Sequence, residues 1–157
     1  MAIYIALGSN LGDTDNNLKE ALRRLTLKGI RVCRVSDFMT TKPYGVTDQP
    51  DFLNAVAEIE TDKSPAELLH VLLQIEQEMG RNRIRHWGER NIDLDLLLFD
   101  DRIIDLPELQ VPHPDMQNRD FVLGPLAQIA PEVMHPALRK TIRQLWEQLA
   151  EKKMETD

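Results

Sequence analysis

The sequence predicts an α+β fold, an antiparallel sheet with helices laid against it. Three observations carry this. Short β-prone runs are interleaved with two leucine-spaced helical segments, in an order that repeats β-α-β. The strands alternate apolar and polar residues, or sit close enough in sequence to pair antiparallel. The chain has 157 residues, 42% of them apolar, which suits one core and excludes disorder as the main state.

Taken in order, residues 2–7 (AIYIAL) form a short apolar strand that ends at Gly8. Residues 14–28 carry Leu18, Leu22 and Leu25 at helical spacing, and Gly29 supplies the stop. Residues 30–38 alternate as a half-buried strand. Residues 40–51, with Pro43, Gly45, Asp48 and Pro50, read as a long loop. Residues 52–60 return as a strand. Ser64, Pro65 and Glu67 make a capping box with proline at the first helical position, ahead of a stripe of Leu68, Leu72, Ile75 and Met79 that Gly80 ends. A polar, arginine-rich loop over 81–91 leads into a strand over 92–99. The resulting β-α-β-β-α-β order is the ferredoxin-like arrangement, with both helices expected on one face.

The last third is less regular. Ile103–Ile104 and Leu109–Val111 read as short edge strands, and 112–122 as a second proline-bearing loop. A short helix is expected over 123–130 and an amphipathic one over 138–150, through Leu138, Ile142, Leu145 and Leu149. The polar tail 151–157 is expected to fray. Nothing in composition divides the chain, so residues 1–157 are expected to be one domain.

Composition excludes several classes. Nineteen basic against 26 acidic residues leave a net charge of −7, which disfavours nucleic acid and anionic membranes. No apolar run approaches the ~18 residues of a membrane span, and the first ten residues lack the features of a signal peptide. A single cysteine, Cys33, rules out an internal disulfide and points to a reducing, cytoplasmic setting.

Within that acidic balance, Arg81, Arg83, Arg85 and Arg90 concentrate four of twelve arginines in ten residues. Guanidinium groups with His86 suit phosphate oxygens, and Trp87 suits a base or an arginine stem. Directly downstream stand Asp93 and Asp95. Residues i and i+2 of a strand share a face, ~7 Å apart, and two carboxylates there suit Mg²⁺. The plainer reading is a solvated strand face with Ile92, Leu94 and Leu96 turned inward; adjacent arginines favour the polyphosphate reading. Glu76 lies at the margin of its helical stripe, close to a helix C-terminus that disfavours an anion; it is either an ordinary exposed glutamate or a group with another task.

Aromatic residues are scarce at 5%, yet Tyr44, Phe52 and Phe121 lie in or beside the two proline-bearing loops. Such rings suit a flat heterocycle, and Asn54, two residues from Phe52, offers a donor and an acceptor to its edge. For either phenylalanine singly, core packing competes. His113 and Arg119 flank the second loop; a zinc site is disfavoured by one cysteine and no HxH or HxxxH spacing. GSNLGD at 8–13 lacks both GxGxxG and GxxxxGK, so it reads first as a strand-to-helix turn capped by Asp13 or Thr14. A polymerase-β-type nucleotidyltransferase is disfavoured because Ser9 and Asp93 lie far apart.

Jointly, GSNLGD, TKPYGVTDQPDFLN at 41–54, IEQEMGR at 75–81, RHWGERNIDLDLLLF at 85–99 and VPHPDMQNRDFVLGPL at 111–126 resemble the 6-hydroxymethyl-7,8-dihydropterin pyrophosphokinase family. The resemblance spans residues 1 to about 150. It implies the ferredoxin-like core with an added C-terminal helical or hairpin part. It implies transfer of diphosphate from ATP to a pterin alcohol in folate biosynthesis. By that resemblance Asp93 and Asp95 hold two Mg²⁺ ions. Arg83 and Arg90 bind phosphate and act with Asp95 in catalysis, Arg83 from a mobile loop. Glu76, His86, Trp87, His113 and Arg119 complete the ATP side. Phe52 and Phe121 sandwich the pterin, and Thr41, Pro43, Tyr44, Asn54 and Asp95 meet its remaining edges. The implied partners are ATP and 6-hydroxymethyl-7,8-dihydropterin, with no nucleic acid and no membrane. A monofunctional monomer is the simplest expectation, and oligomers stay open. The rival expectations are a γ-phosphoryl kinase and a non-catalytic ligand-binding module.

Overall fold

A computed structural model describes residues 2–41, 50–80 and 91–156. Four strands form the body of an antiparallel sheet: β1 (Ile3–Ser9), β2 (Arg31–Val35), β4 (Phe52–Glu60) and β5 (Asp93–Phe99), in the order β2-β4-β1-β5. A short strand, β3 (Met39–Thr41), also pairs with β4. Helices α1 (Thr14–Leu27) and α2 (Pro65–Glu78) bury Leu18, Leu25, Leu68, Leu72 and Ile75 against Ile5, Leu7 and Ile59 on one sheet face. On the other face, Tyr4, Val56, Leu97 and Leu98 pack with α3 (Asp120–Ile129) and α4 (Ile142–Thr156). The molecule is therefore a mixed helix and antiparallel-sheet structure of three layers.

Local chemistry explains the boundaries. Asp13 caps α1, its carboxylate accepting the Asn16 N–H at 3.2 Å. Ser64 and Glu67 form the reciprocal capping box at α2. β1 is buried on both faces because α1 and α2 cover one side of the sheet and α3 and α4 the other. The run Leu96–Phe99 stays apolar throughout because the β1–β5 register slips between Tyr4 and Ile5. Tyr4 faces Leu98 and Ile5 faces Leu96, so the extra residue Leu97 joins Leu98 in the second core.

Several boundaries differ from expectation. The strand over 30–38 is shorter, Arg31–Val35, with one further backbone bond from the Ser36 N–H to the Val56 carbonyl at 2.9 Å. Ser36 Oγ accepts the Val56 N–H at 2.9 Å, and the Asp37 N–H donates to Gln128 at 2.9 Å. Residues 40 and 41, expected in a loop, instead belong to a strand, since Met39–Thr41 pair with Phe52–Asn54. The two edge strands after residue 103 are instead a separate hairpin, β6 (Ile104–Leu106) paired with β7 (Leu109–Val111). α3 starts at Asp120, three residues ahead of the helix expected over 123–130, and carries Gly124 and Pro125 inside it. Gly124 serves packing: a Cβ there would come within 3.2 Å of the Trp146 ring on α4. Residues 138–141 belong not to α4 but to the approach and second strand of a small hairpin, β8 (Met134–His135) and β9 (Lys140–Thr141). Leu138 is accordingly exposed. The tail expected to fray continues α4 to Thr156, and Lys153 pairs with Asp120 on α3 at 2.6 Å.

Candidate active site

Strand register brings the sequence-predicted residues onto one face. Gly8 of β1 pairs with Asn54 of β4 on one side and with Asp93 of β5 on the other. One row further along, Ala6 pairs with Val56 and Asp95. Cross-strand partners share a face, so both aspartates lie on the side that carries α3 and α4. Asp93 is half-buried and Asp95 exposed, while the intervening Leu94 packs into the opposite core.

Between Asp93 and Asn54 the sheet has no side chain, because the middle residue is glycine. A Cβ at Gly8 would stand 3.1 Å from Asn54 Oδ1 and 3.8 Å from Phe52 Cδ1. The result is a flat-floored gap with a carboxylate on one bank and an amide and an aromatic ring on the other. Asn54 is 6% exposed, and its Nδ2 donates to Thr41 Oγ1 at 2.6 Å. That bond orients the amide, with Oδ1 towards the glycine. Thr41, Phe52 and Asn54 are thus brought together by the β3–β4 pairing.

Phe121 enters from the first turn of α3 and packs at the margin of the second core. The Arg119 guanidinium lies 5.8 Å from its ring centroid and 3.8 Å from Asp115. His113 sits beside β5, its backbone N–H donating to the Leu97 carbonyl at 2.9 Å. Its Nδ1 lies 2.8 Å from the Pro114 carbonyl, which can only accept, so that nitrogen carries the proton. Leu94, Asp95, Leu109, Gln110 and His113 line one open groove between β5 and the β6–β7 hairpin.

Glu76 is not an exposed glutamate. It is 3% exposed, and its Oε2 accepts the Leu94 N–H at 2.8 Å, on the α2 side of β5. A backbone N–H lies in the plane of the sheet, so the Glu76 carboxylate sits at the outer edge of the terminal strand β5, beside the segment that carries the two aspartates. Pro43, Tyr44, Arg83, His86, Trp87 and Arg90 lie outside the described residues. Among the described residues, no group of three or more His, Cys, Asp or Glu side chains is gathered as a metal cluster. Two strand carboxylates are hard oxygen donors and fit Mg²⁺ only with further oxygens from a ligand or water.

The 7,8-dihydro-6-hydroxymethylpterin-pyrophosphokinase (HPPK) family pattern matches residues 4–131. The chain belongs to this family. A Haemophilus influenzae 2-amino-4-hydroxy-6-hydroxymethyldihydropteridine pyrophosphokinase is 47% identical over 152 residues, covering 96% of this chain and 94% of that one. The Bacillus subtilis protein of the same name is 47% identical over 131 residues, with 83% and 78% covered. In fold, the chain is similar to a Plasmodium falciparum HPPK-DHPS crystallised with pteroate, at a TM-score of 0.80 and 17% identity. That match covers 98% of this chain and 43% of the Plasmodium chain, so this HPPK chain spans less than half of the fused protein.

The sequence left two features of this candidate site unread. Gly8 belongs to a motif read as a turn, and its role as floor depends on strand neighbours far away in sequence. Asn10 in the same motif is 1% exposed and donates from Nδ2 to the Pro50 carbonyl at 3.2 Å. A buried amide in a polar turn leaves no periodic signal. No helix among the described residues is long and apolar enough to cross a membrane.

Proposed function

We propose that this chain transfers diphosphate from MgATP to the hydroxymethyl group of 6-hydroxymethyl-7,8-dihydropterin, forming the pterin diphosphate and AMP in folate biosynthesis. The observation that carries the reading is the register row Asp93–Gly8–Asn54. It sets a carboxylate for the phosphate half and an amide for the heterocycle half across one gap. The strand order β2-β4-β1-β5 supports the ferredoxin-like arrangement, with α3, α4 and the hairpins as the C-terminal addition. We read residues 1–157 as one domain acting in the cytoplasm, a setting consistent with the single free Cys33.

In this reading Phe52 and Phe121 enclose the pterin ring, and Asn54 and Thr41 hold its edge together with Pro43 and the Tyr44 backbone. Asp93 and Asp95 hold two Mg²⁺ ions, which supply charge neutralisation at the phosphates when bound. Arg83, Arg90, His113 and Arg119 bind the triphosphate, with Glu76, His86 and Trp87 on the nucleotide side. The pterin hydroxyl oxygen attacks the β-phosphorus in line. The bond from that phosphorus to the α–β bridging oxygen breaks, and AMP departs with that oxygen. Asp95 is the group we assign to receive the hydroxyl proton. Catalysis is then mostly positioning and electrostatic stabilisation, without a covalent enzyme intermediate.

The test is to incubate the protein with Mg²⁺, ATP and 6-hydroxymethyl-7,8-dihydropterin and to identify both products. AMP with pterin diphosphate is expected. ADP would make the protein a γ-phosphoryl kinase, and no ATP consumption would leave a binding module.

A further inference from the structure

We propose that Asn10 is a positioning residue for the pterin half of the site, acting through the start of β4. The proposal rests on the pterin-site reading above. β1 and β4 pair through Ser9 and Leu53, after which β1 turns away towards α1. The chain just ahead of β4 then lies beyond the last backbone pair with β1. The Asn10 side chain bridges that point, its Nδ2 donating to the Pro50 carbonyl at 3.2 Å across 40 residues of sequence. Pro50 stands two residues before Phe52 and four before Asn54. Where Pro50 sits therefore sets how the ring and the amide enter the cleft.

The turn that carries Asn10 is itself braced. From α1, Asn17 Nδ2 donates to Ser9 Oγ at 3.1 Å and to the Leu11 carbonyl at 2.8 Å. A primary amide has two N–H donors, and these two bonds fall on the residues flanking Asn10. Asn10 is 1% and Ser9 0% exposed, so the donor end of the bracket is buried, while Pro50 at its far end is exposed. The connection runs from α1 through the turn to Pro50 and on to Phe52 and Asn54. It does not pass through β5, where Asp93 and Asp95 lie. A fault in the bracket is therefore felt by the heterocycle and not by the nucleotide.

Asn10→Asp tests this at nearly constant size, replacing the donating nitrogen with an oxygen that cannot donate to a carbonyl. The dissociation constant of 6-hydroxymethyl-7,8-dihydropterin, titrated with a non-hydrolysable ATP analogue present, is expected to rise about tenfold. Affinity for the analogue alone should stay within about twofold of wild type. Equal losses for both ligands, or an unchanged pterin constant in a folded variant, would overturn the proposal. A double-mutant cycle with Asn54→Ala should show coupling, because Asn10 acts through the strand bearing Asn54; additive losses would also overturn it. If Asn10→Asp does not fold, Asn17→Ala, which loosens the same turn from α1, must give the same pterin-selective loss in smaller measure, and a loss of ATP affinity instead would refute it. Phe52→Ala separates the two readings. If it leaves pterin binding intact, the pterin site is misassigned. If it weakens binding while Asn10→Asp does not, only the role of Asn10 fails.

Discussion

The Glu76 carboxylate on α2 accepts the backbone N–H of Leu94 on β5 at 2.8 Å. Leu94 stands between Asp93 and Asp95 on the terminal strand of the sheet order, so this bond anchors the segment carrying both aspartates at its outer edge. Burial of a carboxyl group is costly unless its oxygens are hydrogen-bonded, and here the bond comes from the strand it steadies. Glu76→Gln retains an acceptor and should keep the fold. Glu76→Leu strands the Leu94 N–H and should cost about 1–3 kcal/mol. Thermal melting would show this as a lower Tm, by about 2–4 °C per kcal/mol for a chain of this size. AMP production should fall more for Leu than for Gln, and equal melting points for both variants would contradict the anchor.

Asp95→Ala should fold normally, since Asp95 is exposed and its neighbours Leu94 and Leu96 hold the strand in the core. Its AMP production should fall by at least about 100-fold. Substantial residual turnover, with a native melting curve, would remove Asp95 from the reaction.

Gly8→Ala places a methyl group 3.1 Å from Asn54 Oδ1, on the floor of the gap. The Asn54 amide must shift, and its bond to Thr41 with it. The KM for the pterin should rise several-fold while the KM for ATP changes little. A steady-state comparison of both substrates checks this; a loss confined to ATP would show that the gap belongs to the nucleotide.

Phe52→Ala removes one ring from the bank beside Gly8. Pterin affinity should fall about 10–100-fold, with ATP affinity nearly unchanged. Direct titration of each ligand decides the matter, and parallel losses would indicate a general packing role.

His135 sets an acid limit on stability. It is 4% exposed, and its Nδ1 accepts the Ala137 and Leu138 N–H groups at 3.3 and 3.0 Å, so it must be unprotonated there. Burial pushes its pKa below the ordinary value of 6.5. The folded state therefore binds fewer protons than the unfolded state below pH 6.5, and stability rises with pH in that window. The His135 contribution is full above pH 6.5 and is lost as pH falls towards the folded pKa. Melting curves between about pH 8 and 5 should show this decline, and His135→Gln should flatten part of it.

Much of the fold was legible because its signals are local. The capping box at Ser64 and Glu67, the leucine stripe of α1 and the alternation in β5 each report the state of their own segment. Errors arose where a distant partner overrode local chemistry. Leu138 looked like the start of the last helix, but residues 140 and 141 pair with Met134 and His135 instead. Asp37 looked like a strand residue, but its N–H bonds instead to the Gln128 side chain on α3.

For the site, the sequence by itself determined the chemical inventory: paired aspartates on one strand face, an arginine-rich stretch before them, and aromatic residues beside two loops. Those are properties of single segments, and side-chain periodicity encodes them. Tertiary structure alone decided that Gly8 separates Asp93 from Asn54, that Glu76 is buried beside Leu94, and that Asn10 reaches Pro50. Each of these depends on strand register or on helix docking between segments far apart in the chain. Periodicity specifies which face a residue occupies, but only the pairing specifies which residue it meets there.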